Sequence, residues 1–219
     1  TIKIPVEIDV ASEFRYREPI IDNKTLMIVL SQSGETADTL AALRLAKDNG
    51  ARVLAITNVV GSSIARDADD VLYTWAGPEI AVASTKAYVT QLVMIYIVSL
   101  YFAELKNSMS LEEIEEMKAE LLGISDKITE IFKQEEAIKK IAELDKDAND
   151  MYYLGRGLDY AVAMEGSLKT KEISYIHSES YAYGELKHGT IALIEQGTVV
   201  FALATQEELL EKLISNIKE

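Results

Sequence analysis

Hydroxyl side chains cluster in residues 31 to 39, which read SQSGETADT and directly follow the apolar run TLMIVL. Where a strand ends and a helix begins, unpaired backbone N–H groups and a partial positive charge favour a bound anion. Ser and Thr hydroxyls donate hydrogen bonds to phosphate oxygens, and glycine lets a ligand approach the backbone. Ser31, Ser33, Gly34 and Thr36 therefore predict a site for a small phosphate ester; the alternative is one helix-capping hydroxyl among ordinary turn residues.

A second set of candidate residues could transfer protons. Glu165, Lys169 and Glu172 are spaced i, i+4 and i+7 and therefore share one face of a predicted helix. From spacing alone, this pattern is more typical of a surface salt-bridge ladder than of a catalytic site. The chain also has two histidines, His177 and His188, and imidazole can exchange a proton near neutral pH. His188 lies in GELKHGT, which indicates an exposed turn, whereas we assign His177 a structural role.

Two further groups of residues could contact a ligand, and each has a structural alternative. In EIAVASTKAY, Ser84 or Thr85 could cap the helix that follows. Tyr175, Tyr181 and Tyr183 could form a wall on which a sugar stacks, but packing or a subunit interface is their more typical use. We therefore assign these tyrosines to packing or to a subunit interface.

The elements that position these groups are indicated by apolar runs and helical repeats. In the first half, buried strands are predicted at LMIVL (26–30), VLAIT (53–57) and DVLYTW (70–75). Leucine and alanine recur at helical spacing after the first strand, up to a stop at Asn49-Gly50. Strands that alternate with helices indicate a parallel sheet covered on both faces, so an α/β fold is predicted.

The second half repeats part of this pattern after a helical bridge. Residues 106–149 carry many i, i+4 charge pairs and a capping box at Ser110 and Glu113, so they are predicted to be helical. MYYLGRG (151–157) then predicts a strand with a glycine turn. TVVFALAT (198–205) matches TLMIVLSQ (25–32) at an offset of 173 residues, which indicates an internal duplication. We expect the first-half counterpart of the YYLGRG strand and glycine turn to lie before Thr1, and the second half to continue past Glu219. Because TQEELL follows the second copy, its glutamates would repel phosphate, and one phosphate site per chain is predicted.

Composition excludes several classes of function. The net charge of −14 opposes binding to nucleic acid or to an anionic membrane. The chain has no cysteine, so disulfides, thiolate metal sites and a cysteine nucleophile are excluded within it. The uncharged stretch 87–103 is shorter than the roughly 20 residues of a membrane span, so we predict a buried helix. The N-terminal residues do not follow the order of a signal peptide, and a cytoplasmic location is predicted.

Three motifs, SQSGETADT, EIAVASTKAY and EGSLKTKEISYIHSESYAYGELKHGTIALI, resemble the isomerase part of the glutamine:fructose-6-phosphate amidotransferase family. That part is built from two sugar isomerase domains, and the resemblance covers essentially the whole chain in order. It implies an α/β fold of two such subdomains, three-layered with mainly parallel sheets and related by a pseudo-twofold axis. The predicted boundaries are 1–105 for the first subdomain, 106–149 for the bridge and 150–219 for the second subdomain.

The resemblance also implies a role for individual residues. Glu172 matches the proton shuttle of the isomerisation and Lys169 a residue that assists at the sugar hydroxyls. His188 matches the residue that opens the sugar ring and reaches the site of the neighbouring subunit. The remaining matches contact the hexose 6-phosphate: Ser31, Gln32, Ser33, Thr36, Val82 and Ser84.

The implied partners are a hexose 6-phosphate, a second copy of the chain and a glutaminase domain in the full-length protein; no metal or cofactor is predicted. Thr190 and Thr170 depart from the residues usual in the family at these positions, but neither replaces a catalytic group. Two other functions stay open: a non-catalytic sugar-phosphate sensor, and another phosphosugar isomerase or deglycase. A sensor would need the phosphate loop but no proton shuttle.

Overall fold

The computed structural model describes residues 2–218, which form two compact units, one up to Lys127 and one from Ile128. The division falls inside the predicted helical bridge. The predicted subdomain boundaries at 105 and 149 stay predictions, and their outer limits, Thr1 and Glu219, lie outside the described residues.

The first unit contains a three-stranded parallel sheet in the order β1-β2-β3. Its elements up to residue 106 are α1 (Ala11–Phe14), β1 (Leu26–Ser31), α2 (Ala37–Asp48), β2 (Arg52–Thr57), α3 (Ser63–Asp67), β3 (Asp70–Tyr73) and α4 (Lys86–Lys106). The register pairs Ser31 at the end of β1 with Thr57 at the end of β2, and Thr57 with Tyr73 of β3. The loops that follow the three strands therefore start at one edge of the sheet, which is where α/β folds bind ligands.

The core of this sheet forms because the strands are apolar and α2 places an apolar stripe on them. Val29, Leu43, Val53 and Ile64 are buried together, with Ala46, Ala51 and Ala55 filling the space between larger side chains. Helix α2 ends as predicted, with Asn49 at the C-cap and Gly50 in the left-handed region at φ 87°.

Helix α4 differs from its prediction. Its buried residues are Ala87, Val98, Leu100 and Ala103, whereas Leu92, Tyr96, Ile97, Tyr101 and other apolar residues are exposed. The helix is apolar on all sides, so packing along one side leaves the others uncovered within the unit. By length and composition alone α4 could cross a membrane, a test that core helices of soluble proteins also pass. The absence of a membrane partner stays a prediction.

Three helices follow α4: α5 (Leu111–Leu122), α6 (Ile124–Phe132) and α7 (Glu135–Asp145). The capping box at the start of α5 is present, since Ser110 Oγ accepts from the Glu113 N–H and the Glu113 carboxylate accepts from the Ser110 N–H. The helical prediction for this segment is thus confirmed.

The second unit contains another three-stranded parallel sheet, in the order β5-β4-β6. Its elements after α7 are β4 (Asp150–Gly155), α8 (Leu158–Ser174), β5 (His177–Ala182), α9 (Tyr183–Leu186), β6 (Val199–Ala202) and α10 (Leu210–Ile217). Strand β5 was not predicted, because its sequence HSESYA has no apolar run. The α/β class with parallel sheets is confirmed, and the pseudo-twofold relation stays a prediction.

Candidate functional site

Residues 31–36 form a loop at the end of β1, which we call the hydroxyl loop. The side chain of Ser31 makes two of the contacts within this loop. Ser31 is 6% exposed; its Oγ lies 2.9 Å from Thr36 Oγ1 and accepts a hydrogen bond from the Gly34 N–H at 3.0 Å. Ser33 Oγ accepts from the Glu35 N–H at 3.2 Å, and the Gln32 carbonyl accepts from the Asn58 N–H at 3.1 Å. The loop is therefore folded around its own hydroxyl groups and is preorganised.

Thr36 occupies the N-cap position of α2, but its side chain makes no capping hydrogen bond. Its hydroxyl pairs with Ser31 instead. The side chain of Thr36 therefore accepts no hydrogen bond from the N–H groups of the first turn of α2. The capping alternative considered for this loop does not describe the geometry of Thr36 in the structure.

Gly34 is required by the turn itself. Its φ is 67°, a region that residues with a side chain rarely adopt. A Cβ at this position would also lie 2.0 Å from Ser62 Oγ, so the close approach is to the start of α3. This finding adds to the sequence interpretation, in which the glycine was assigned to the approach of a ligand.

Glu35 is the one acidic residue between Ser31 and Thr36, and its charge is directed away from them. Its carboxylate accepts a hydrogen bond from the Ser63 N–H at 2.8 Å, in the first turn of α3. Hydrogen bonding with Ser63 holds the pKa of Glu35 below its usual value, so the group is ionised near neutral pH. The carboxylate of Glu35 thus accepts a hydrogen bond at the start of α3.

The segment with Val82 and Ser84 leads into α4. Val82 is 95% exposed, and Ser84 Oγ lies 3.5 Å from a carboxylate oxygen of Glu79. The same oxygen accepts from the Ala87 N–H at 3.1 Å, whereas Thr85, at the N-cap, makes no side-chain cap. Glu79 therefore caps α4, a role for which the sequence had suggested Ser84 or Thr85.

The predicted acid–base residues come together on α8. Lys169 Nζ forms a short ion pair with Glu172 Oε2 and lies 3.4 Å from Glu165 Oε1. The Lys169 side chain is 20% exposed, compared with 56% for Lys139 in the surface pairs of α7. Burial alone would lower the pKa of Lys169, but the hydrogen bond with Glu172 and the charge of Glu165 outweigh it and raise the pKa. Lys169 is therefore a protonated donor held between two carboxylates.

His188 and His177 have different surroundings. His188 follows α9 in an exposed position, and its backbone N–H donates to the Glu185 carbonyl at 3.0 Å. His177, at the start of β5, bonds through Nδ1 to Asp150 Oδ1 at 2.7 Å. The contact between neighbouring strands fits the structural role assigned to His177.

The loop after β6 is the counterpart of the hydroxyl loop in the predicted duplication, and its residues bind an internal carboxylate, that of Asp159. Asp159 is 2% exposed and accepts hydrogen bonds from the Thr205 N–H at 2.9 Å and from the Thr205 hydroxyl. Gln206 Nε2 donates to the Arg156 carbonyl at 2.6 Å. The donors of this loop therefore bind acceptors in the β4–α8 segment instead of a ligand. This is a second reason to expect one phosphate site per chain.

Sequence reasoning missed three residues that shape these loops: Asn58, Glu79 and Asp159. Asn58 directly follows β2 at the edge where ligands bind, and a polar residue there was an available signal. Glu79 and Asp159 gave no such signal, because the backbone N–H groups that donate to them lie eight residues or more away in the chain.

Each of the two units contains a parallel β-sheet with helices, and in one unit a hydroxyl loop follows a strand. Comparisons with known proteins are consistent with this fold. The model of the SIS domain family matches residues 1–100 and 146–218, and the chain belongs to this family. Glutamine–fructose-6-phosphate aminotransferase (isomerizing) of Clostridium tetani is 69% identical over 217 residues, and that of Fusobacterium nucleatum is 51% identical over 216 residues. Each alignment covers 99% of this chain and 36% of the relative, so the chain spans about a third of their length.

Solved structures show the same similarity. The C-terminal domain of glucosamine-fructose-6-phosphate aminotransferase from Francisella tularensis matches 99% of this chain, and 62% of its own, with a TM-score of 0.95 and 43% identity. Glucosamine-6-phosphate deaminase from Thermotoga maritima matches 95% of this chain and 62% of its own, with a TM-score of 0.74 and 26% identity. The resemblance identified from the three sequence motifs is thereby confirmed.

Proposed function

We propose that this chain binds fructose 6-phosphate and carries out the ketose-to-aldose isomerisation step in the formation of glucosamine 6-phosphate. The observation that carries the proposal is the preorganised hydroxyl loop at the start of α2. The names of the relatives supply the substrate and the reaction. Because the chain has no cysteine, the nitrogen would come from a glutaminase part of the complete protein, as the relatives' greater length suggests.

The phosphate would bind at the N-terminus of α2, through Ser31, Ser33, Thr36 and the backbone near Gln32. In the same unit, carboxylates of Glu79 and Glu113 already accept hydrogen bonds at the starts of α4 and α5. Helix α2 has Asp38 in its first turn, but this group is paired with Arg15 at 3.3 Å. The start of α2 therefore offers an anion both hydroxyl groups and the helix dipole.

The proton transfer would be the task of Glu172. The isomerisation removes a proton from C1 of the open-chain ketose and returns it to C2, so one base must reach both carbons. Lys169, which is protonated, would donate hydrogen bonds to the sugar hydroxyls and hold the Glu172 carboxylate in place. Val82 and Ser84 would contact the sugar, and His188 of a second copy would assist ring opening.

The acid–base cluster favours an enzyme over a sugar-phosphate sensor. A sensor requires affinity for the phosphate and the sugar, whereas a carboxylate beside a half-buried ammonium group adds a means of moving protons. Other phosphosugar isomerases could share the loop. The relatives that are more than half identical carry the aminotransferase name, which favours that substrate.

The phosphate site is tested by replacing Ser31, Ser33 and Thr36 together with alanine in the complete natural protein. Each lost hydrogen bond to a charged group costs about 1.5 to 3 kcal/mol, so affinity for fructose 6-phosphate should fall by several orders of magnitude. Calorimetric titration measures this affinity. Ser110→Ala is the matched control, because Ser110 is a true helix cap, and it should lower the melting temperature without changing affinity. Affinity within threefold of the natural protein in the triple variant would contradict a phosphate site at this loop and leave its hydroxyl groups a purely structural role.

A further inference from the structure

Asn58 contacts two loops of the first unit at once. Its backbone N–H donates to the Gln32 carbonyl at 3.1 Å, inside the hydroxyl loop that follows β1. Its side-chain amide donates to the Gly77 carbonyl at 2.7 Å, and its Oδ1 accepts from the Ala76 N–H at 2.8 Å. Oδ1 also accepts from the Thr74 hydroxyl at 3.1 Å. One half-buried side chain therefore fixes the loop after β3 relative to the loop after β1.

Apart from Asn58, the start of the loop after β3 is held by a backbone hydrogen bond from the Thr74 N–H to the Thr57 carbonyl at 3.0 Å and by the ring of Trp75, which lies 5.8 Å from that of Tyr73. Trp75 lies between Thr74 and Ala76 and is 75% exposed, so burial does not fix it. Its φ of 53° is in the left-handed region, which a bulky residue adopts only when its surroundings impose it. The side-chain hydrogen bonds that flank Trp75 on both sides end on Asn58, and together with the ring contact to Tyr73 they hold this conformation.

The same loop carries the residues assigned to the sugar. From Gly77 the chain passes to Glu79, whose carboxylate accepts from the Ala87 N–H and lies 3.5 Å from Ser84 Oγ. The segment is thus anchored by Asn58 at its start and by Glu79 at the start of α4. Val82 and Ser84 lie between these anchors, and their position relative to Gln32 depends on both.

We propose that Asn58 is a positioning residue that sets the sugar-contacting loop at a fixed distance from the phosphate-binding loop, so that both contact one hexose phosphate. This inference rests on the proposed function. It makes a specific prediction, because the amide side chain holds only the sugar loop, whereas the backbone N–H that bonds Gln32 persists in any variant except proline. Removing the amide should therefore weaken affinity for the sugar end of the ligand and leave affinity for phosphate unchanged.

The test measures the affinity of the complete natural protein and of Asn58→Ala for two ligands, fructose 6-phosphate and inorganic phosphate. In Asn58→Ala, the dissociation constant for fructose 6-phosphate should rise about tenfold or more, and that for inorganic phosphate should change by less than about twofold. Asn49→Ala is the matched control, since its amide also bonds a backbone carbonyl, that of Leu45 at the end of α2. This control should leave both constants unchanged.

A milder variant guards against misfolding. Thr74→Val keeps the shape of the side chain and removes only the hydroxyl that donates to Asn58 Oδ1, so the same selective loss should appear at about two- to fivefold. Equal loss of both affinities in the two variants, together with a lower melting temperature, would reduce Asn58 to a structural role and overturn the proposal. Unchanged affinity for fructose 6-phosphate would overturn it as well. A natural protein that binds neither ligand would instead overturn the proposed function.

Discussion

At the scale of single residues, the chemistry depends on how each ionisable group is paired. Lys169 stays protonated because two carboxylates outweigh the effect of its burial on the pKa. A protonated Lys169 cannot be the base of an isomerisation, so the proposed reaction would need a carboxylate beside it as the base. Glu172 forms the shorter of the two ion pairs with Lys169.

Changing Glu172 to Gln should separate catalysis from stability. Glutamine keeps the volume and one acceptor oxygen but cannot take up a proton near neutral pH. Turnover of the complete protein should fall about 100-fold or more, while affinity for fructose 6-phosphate changes little. Turnover and melting temperature are measured on the same preparation.

The control for this experiment is Glu135→Gln, which breaks an exposed pair with Lys139 on α7. An exposed pair contributes little to stability, so this variant should retain normal turnover. A Glu172→Gln variant that resembles the control, slightly less stable but active, would end the catalytic assignment.

At the scale of elements, loops are held by side chains that come from elsewhere in the same unit. Asp159 in the first turn of α8 receives hydrogen bonds from Thr205, beyond the end of β6. Burial alone would raise the pKa of Asp159, but the hydrogen bonds from Thr205 and Gln206 prevail and lower it. The connection between α8 and β6 is therefore strongest when Asp159 is ionised.

The pH dependence of stability tests this connection. Since the pKa of Asp159 is lower in the folded protein than the ordinary value of 3.8, its contribution is fully present above that value and is lost as the pH falls through the folded pKa. Asp159→Asn should lower the melting temperature at neutral pH and show a smaller further fall than the natural protein as the pH drops below 3.8. Circular dichroism during heating measures both. Asp48→Asn, at an exposed position, is the control and should keep the natural pH profile; an equally steep fall in Asp159→Asn would contradict the assignment.

At the scale of the whole molecule, the proposed active site needs more than one chain. The resemblance assigns Glu172 to one subunit and His188 to its neighbour. The exposed position of His188 after α9 leaves its ring accessible to a second copy. A homodimer is therefore part of the proposal, and its sites would be shared.

Shared sites can be tested by mixing two inactive variants of the complete protein. In a dimer of one Glu172→Gln chain and one His188→Asn chain, one site carries both changes and the other carries neither. Random pairing makes about half of the dimers mixed, so co-expression should restore about a quarter of the natural turnover. Each variant expressed alone is the control. No recovery in verified mixed dimers would place His188 in the same subunit's site as Glu172.

Most of the fold could be predicted because its signals are local. The apolar strands β1, β2, β4 and β6 and the helix α2 are each specified by their own residues, and the capping box of α5 is a four-residue pattern. Strand β5 was missed because HSESYA is held by its pairing with β4, which no local pattern records. The exposure of α4 was missed because composition alone does not show which sides of an apolar helix find neighbours.

The sequence by itself determined the α/β class, the family and the residues proposed to act on a hexose phosphate, because residue type and spacing carry that chemistry. Only the tertiary structure decided how the groups are paired: Thr36 with Ser31, Glu35 with the start of α3, Glu79 with the start of α4, and Asn58 with two loops. The physical reason is that a hydrogen bond depends on distances and angles in space. Residues far apart in the chain meet at one edge of a sheet only after the strands have been placed side by side.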